Sequence, residues 1–98
     1  MLFMVLNTDK ADTGSLREDT RPPHVEYLKS MGEKLRLAGP WLAEDNQTAI
    51  GSLWIVEAAD KAAAEALAQA DPFAQAGLFE STTVFPWRRA LGAGIDSY

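Results

Sequence analysis

The chain opens on an unbroken apolar run, Leu2-Phe3-Met4-Val5-Leu6, cut off at once by Asn7, Thr8 and Asp9. A half-buried strand alternates apolar and polar residues, so a continuous run of this length reads as a β-strand buried on both faces or nearly so. Such a strand requires a sheet around it and cover on both sides of that sheet. The run is far shorter than the roughly 20 residues a membrane helix needs, and no basic segment precedes it. It is therefore read as neither a signal peptide nor a span, and the chain as cytoplasmic with no membrane partner.

The remaining elements follow from punctuation and period. Residues 7–20 are polar and contain Gly14 and Ser15, which suits a loop with a short helical turn from Ser15. Pro22 and Pro23 suit the first turn of a helix, where a missing N–H costs nothing, with Thr20 or Arg21 just outside. Val25, Leu28, Met31/Gly32 and Leu35 recur at steps of three and four, the mark of an amphipathic helix that Gly39-Pro40 would stop. The latter part of 35–43 is predicted as a strand, EDNQ (44–47) as a turn and Ala49–Glu57 as the second arm of a hairpin. Asp60 is a candidate N-cap for an alanine-rich helix over 61–70. Asp71-Pro72 breaks that helix, PFAQAG makes a short turn, and Leu78–Phe85 is the last strand.

The order β-α-β-β-α-β predicts an α+β fold, ferredoxin-like, with two helices on one face of a four-stranded antiparallel sheet. The 98 residues are read as a single domain, with a core over 2–89 and a C-terminal tail over 90–98. A chain of this size hides only roughly 60–65% of its unfolded surface, which leaves little room for an enclosed cavity. Sheet-to-sheet pairing of two copies would cover the second face, so a homodimer is expected, as a dimeric α+β barrel, with higher assembly left open. The net charge of −5, with basic residues scattered apart from Arg88-Arg89, argues against a nucleic-acid partner. The absence of cysteine removes disulfides, thiolate chemistry and cysteine-ligated metals. With a single histidine, no HxxxH or ExxH spacing and no Gly-rich phosphate loop, neither a metal nor a cofactor is expected.

Few residues remain that could do chemistry. His24 borders the apolar stripe of its helix, where it is either a half-buried hydrogen-bonded residue or an acid/base at the gap between helix and sheet. Asp71 is either a helix cap before Pro72 or the carboxylate that orients His24. Arg17 and Arg21 lie four apart and would share a face if the segment is helical, able to clamp an oxyanion; otherwise they are solvated surface cations. Trp41, Trp54 and Trp87 read as core or interface residues.

Taken in order, LR…TRPPHVEYL (16–28), AGPW (38–41), GSLWIVEA (51–58), ADPFAQAGLFES (70–81) and FPWR (85–88) resemble the YciI-like (YCII-related) family over residues 2–89. Val25 replaces the more usual leucine, and the tail after Arg89 lies outside the pattern. The resemblance implies a ferredoxin-like dimeric α+β barrel, related in fold to muconolactone isomerases and cofactor-independent monooxygenases. It also implies an active site around the histidine of the first long helix and the aspartate of the DP pair, here His24 and Asp71. The arginines of that segment match Arg17 and Arg21. One branch of the family resembles dehydrochlorinases of chlorinated hydroxyquinols. The expectation is a small cofactor-independent enzyme acting by proton transfer or elimination on a small oxygenated molecule. The alternative is a dimeric ligand-binding or accessory module without turnover.

Overall fold

In the computed structural model, which describes residues 1–92, the apolar run becomes strand β1, Leu2–Asp9. Helix α1 (Leu16–Ser30) follows, then a 3₁₀ turn (Gly32–Lys34), β2 (Leu35–Leu42), β3 (Ala49–Glu57), α2 (Lys61–Gln69), the one-turn helix α3 (Pro72–Gln75) and β4 (Phe79–Pro86). The sheet order is β2-β3-β1-β4 and every neighbouring pair is antiparallel. This is the expected α+β, ferredoxin-like arrangement. The expected 90–98 tail lies largely outside the described residues.

β1 has its apolar run because it is a central strand. Phe3, Val5 and Asn7 are buried on one face, opposite Val56, Trp54 and Ser52 of β3. Alternation puts Leu2, Met4 and Leu6 on the other face, beside Leu53 and Ile55 of β3 and Phe85 of β4. The core lies on the first face, where Ala64 and Ala68 of α2 meet Phe3, Val5, Trp54, Val56 and Val84, with Tyr27, Leu28 and Met31 of α1 packed against them. The alanines carry no bulk, so α2 lies close to the sheet. The second face has no helix on it; Leu2, Met4 and Leu6 are half-buried there and Phe85 is exposed.

Three local expectations need correction. Helix α1 starts at Leu16, after Ser15, so Pro22 and Pro23 lie inside it rather than in its first turn. Tertiary and local bonds hold the six residues ahead of them: Arg17 is paired with Asp9, and Ser15 Oγ donates to Asp19 Oδ2 at 2.8 Å. These offset the two backbone bonds that the prolines cannot make. The stop is not Gly39-Pro40 but Gly32, at φ +58, the left-handed conformation that only glycine adopts without strain. Gly39 and Pro40 instead belong to β2, an edge strand, where an exposed proline breaks no ladder needed by a neighbour. Finally, PFAQ, expected as a short turn, is one turn of helix, and Asp71 caps it as one of its two readings had it.

The β2–β3 turn is tied by Asp45, whose carboxylate accepts from the backbone N–H groups of Gln47 and Thr48 (both 2.9 Å) and from the Thr48 hydroxyl. The Thr48 hydroxyl, then the two N–H groups, hold the Asp45 carboxyl down to about 2.

Candidate active site

The site begins with the three residues Asp71-Pro72-Phe73. Asp71 caps α3 by accepting from Phe73 N–H at 2.9 Å, and Pro72 occupies the first helical turn, where its missing N–H is not needed. This tight turn places the carboxylate and the Phe73 ring side by side beneath α1. His24, at the ninth position of α1, meets both. Its Nδ1 lies 2.7 Å from Asp71 Oδ1, and its ring stacks on Phe73 with centroids 3.8 Å apart and planes 15° from parallel. Phe79 meets the Phe73 ring edge-on at 6.0 Å.

Burial decides how strong this contact is. Asp71 is fully buried and His24 is 8% exposed, so water does not compete for the bond. Asp71 Oδ2 has no hydrogen-bond partner among the described residues. The buried carboxylate, bonded at Oδ1 to one N–H and one imidazole nitrogen, holds the ring in one orientation, with Nδ1–H donating. Its charge reaches further: burial, then the negative charge of Asp71, raises the Tyr27 hydroxyl above the usual tyrosine range. Tyr27 keeps its proton and donates it to Leu67 O at 2.6 Å, tying α1 to α2.

His24 also lines a cavity of about 250 Å³ between α1 and the sheet. Arg17, Arg21, Ser52, Trp54 and Phe73 share its wall, with Pro40 of the edge strand closing one side. A larger open groove of about 960 Å³ adjoins it and shares Arg17, Arg21 and Pro40. For comparison, a cavity of about 150 Å³ holds benzene, so the inner space suits a single substituted ring. Among the described residues no bond to His24 Nε2 is formed, and this nitrogen is the one left for a molecule in the cavity.

All four sequence-predicted site residues therefore meet at one place. Arg17 and Arg21 sit one turn apart on α1, both inside the helix, and their roles diverge. Arg17 is half-buried and committed: Nε and Nη2 clamp Asp9 at 2.8 and 3.0 Å, Nη2 also donates to Gly51 O at 3.0 Å, and its guanidinium carbon lies 4.9 Å from the Phe73 ring centre. Only Nη1 remains to meet a ligand. Arg21 is exposed and forms no ion pair among the described residues, so its full fork is available. No group of three or more acidic or histidine side chains among these residues is placed to hold a metal ion, and no helix is long and apolar enough to cross a membrane.

Sequence reasoning missed Asp9, Ser52 and Phe73. Phe73 had a signal, because a residue two after an N-cap is held by that cap. Asp9 and Ser52 reach the site only through the pairing of β1 with β3 and the return of α1 across them, which no local pattern encodes.

Comparison with known proteins points the same way. The model of the YCII-related domain matches residues 1–88. Protein YciI of Escherichia coli O6:H1 and of Shigella flexneri are each 35% identical over 98 residues, spanning 93% of this chain and 100% of theirs. Among solved structures, the 5-chloro-2-hydroxyhydroquinone dehydrochlorinase of Burkholderia phenoliruptrix AC1100, in complex with 2,5-dihydroxybenzoquinone, is similar with a TM-score of 0.79. It is 33% identical, with 92% of this chain and 96% of that chain covered.

Proposed function

The chain belongs to the YCII-related domain family, and on that premise we propose that it is a cofactor-independent enzyme for proton transfer or elimination on a small oxygenated ring. The observation that carries this reading is the 2.7 Å contact between His24 Nδ1 and the buried Asp71 carboxylate beside an open cavity. With Nδ1 occupied, Nε2 is the acid/base. It takes a proton from a C–H or O–H of the substrate, and the freed electron pair forms a C=C or C=O bond. In an isomerisation the same proton returns at another carbon. In an elimination a halide leaves with the electron pair of its bond to carbon, the net loss is HX, and the imidazolium gives its proton to water.

Charge develops on substrate oxygen as the proton leaves. Arg21, with Nη1 of Arg17, supplies donors for that oxygen, as the donors of an oxyanion site do. The similarity to a dehydrochlorinase that binds 2,5-dihydroxybenzoquinone supports a hydroxylated ring as the substrate class. The expected result is that the protein releases halide from chlorinated hydroxyhydroquinones, or exchanges ring hydrogens with deuterated solvent, without added metal or cofactor. If 2,5-dihydroxybenzoquinone is bound but neither release nor exchange occurs over hours, the protein is a binding module and the catalytic reading falls.

The working unit in this proposal is a homodimer. Its support is the helix-free face of the sheet, where Leu2, Met4, Leu6 and Leu53 are only half-buried and Phe85 is exposed in the single chain. An apolar surface of this extent on a sheet marks an interface. Sedimentation at micromolar concentration should give twice the chain mass; a monomer would remove this part of the proposal.

A further inference from the structure

One buried polar cluster beside the cavity is not used by the acid/base pair. Asn7 lies on the helix-covered face of β1, in line with Phe3 and Val5, where a valine would satisfy the core; it is 1% exposed. Each of its two side-chain polar atoms bonds one neighbour. Nδ2 donates to Ser52 Oγ of β3 at 2.8 Å, and Oδ1 accepts from Thr82 Oγ1 of β4 at 2.7 Å. Its backbone carbonyl accepts from Trp41 Nε1 of β2 at 2.9 Å, so all four strands meet at this residue. Ser52 is 3% exposed and lines the His24 cavity.

We infer that Ser52 is a ligand-contacting residue of the His24 cavity and that Asn7 is the positioning residue that turns its hydroxyl toward the ligand. The inference rests on the acid/base reading above and adds a further ligand contact from β3. A hydroxyl has one proton to give and two lone pairs. Because Asn7 Nδ2 occupies a lone pair of Ser52 Oγ, and no acceptor among the described residues takes the Ser52 proton, that proton is left for an acceptor in the cavity. In this arrangement Thr82 Oγ1 donates to Oδ1 and Nδ2 is directed to Ser52.

The rest of the cavity wall agrees. Trp54 follows two residues after Ser52 on the same face of β3, and its indole N–H is buried without a partner. Arg17 and Arg21 are donors only. No carboxylate lines the cavity, since Asp71 stands behind His24. The polar side chains of the wall are donors around one imidazole, set among apolar residues, which fits a ring ligand carrying acceptor oxygens; Ser52 stands next to Gly51, whose carbonyl Arg17 binds, so its hydroxyl adds a donor beside the arginine. A buried amide at position 7 gains nothing for the core over an apolar residue; what it does is orient Ser52.

The test uses the full chain with 4-nitrocatechol, an oxygenated ring whose absorbance reports binding. Ser52→Ala should weaken binding roughly three- to tenfold, the range for one hydrogen bond. Asn7→Val should weaken binding by about threefold. Asn7→Val combined with Ser52→Ala should bind no worse than Ser52→Ala alone, since Asn7 acts only through Ser52. If Ser52→Ala binds as well as wild type while His24→Gln does not, this inference is wrong and the acid/base reading stands. If the wild-type protein does not take up the probe, or His24→Gln also leaves binding unchanged, the cavity is not the site and both fall.

Discussion

His24→Gln is expected to lower kcat/KM on a turned-over hydroxylated ring by on the order of 10²–10⁴, the usual worth of a positioned general acid/base. Glutamine keeps much of the volume and can still hydrogen-bond to Asp71, so the fold and the stacked contact with Phe73 should survive. It cannot exchange a proton. Asp71→Asn should fall in the same range for a different reason. Asparagine caps a helix as well as aspartate does, so the Phe73 N–H keeps its acceptor and the melting temperature should move little. What is lost is the negative charge that stabilises the imidazolium. Kinetics and thermal melts measured together separate the two roles of Asp71. A His24→Gln or Asp71→Asn enzyme retaining a third or more of wild-type kcat/KM would end the acid/base assignment.

Gly51→Ala should be the most damaging small substitution in the sheet. A Cβ at position 51 would lie 2.0 Å from Trp41 Nε1, 2.1 Å from Trp41 Cε2 and 2.4 Å from the backbone oxygen of Asn7. All three are far inside any real contact, and the last belongs to the central strand. Trp41 would have to swing off the edge of the sheet and give up its bond to Asn7 O. Overpacking costs about 1–3 kcal/mol and a lost hydrogen bond about 1, so the total is roughly 3 kcal/mol. In a domain of this size that corresponds to a melting temperature lower by about 12–24 °C. The Gly51 carbonyl also receives Arg17, so ligand binding should weaken alongside stability. Calorimetry of Gly51→Ala checks the first effect, and a drop of less than about 4 °C, the shift for 1 kcal/mol, would show that the Trp41 packing is not rigid.

What the sequence reveals is set by which interactions are local. The element order and the single helix-covered face were legible, because the apolar run of β1, the hairpin and the alanine-rich helix carry their periods in consecutive residues. His24 and Asp71 were legible as candidates because a histidine after a proline pair and an aspartate before a proline are each constrained by their neighbours. Their meeting came only from the family resemblance, since 47 residues separate them. The start of α1 was misread because proline was weighed on backbone grounds alone. The Arg17–Asp9 pair, which anchors the first turns, depends on where β1 ends in space. The cluster of Asn7, Ser52 and Thr82 was invisible for the same reason: each residue looks like an ordinary polar position until the strands are in register.

The proline pair inside α1 has a mechanical consequence. Pro22 and Pro23 have no N–H, so the carbonyls of Glu18 and Asp19 receive no bond from the next turn. Two of the longitudinal ties that stiffen a helix are missing at one level, just ahead of His24. Behind this joint, His24, Tyr27, Leu28 and Met31 are bolted to the core and to Asp71. Ahead of it, Arg17 and Arg21 ride on a short segment moored to Asp9 and Gly51. One helix is thus held in two ways on either side of the proline pair, by side-chain bonds to the sheet ahead of it and by core packing behind it.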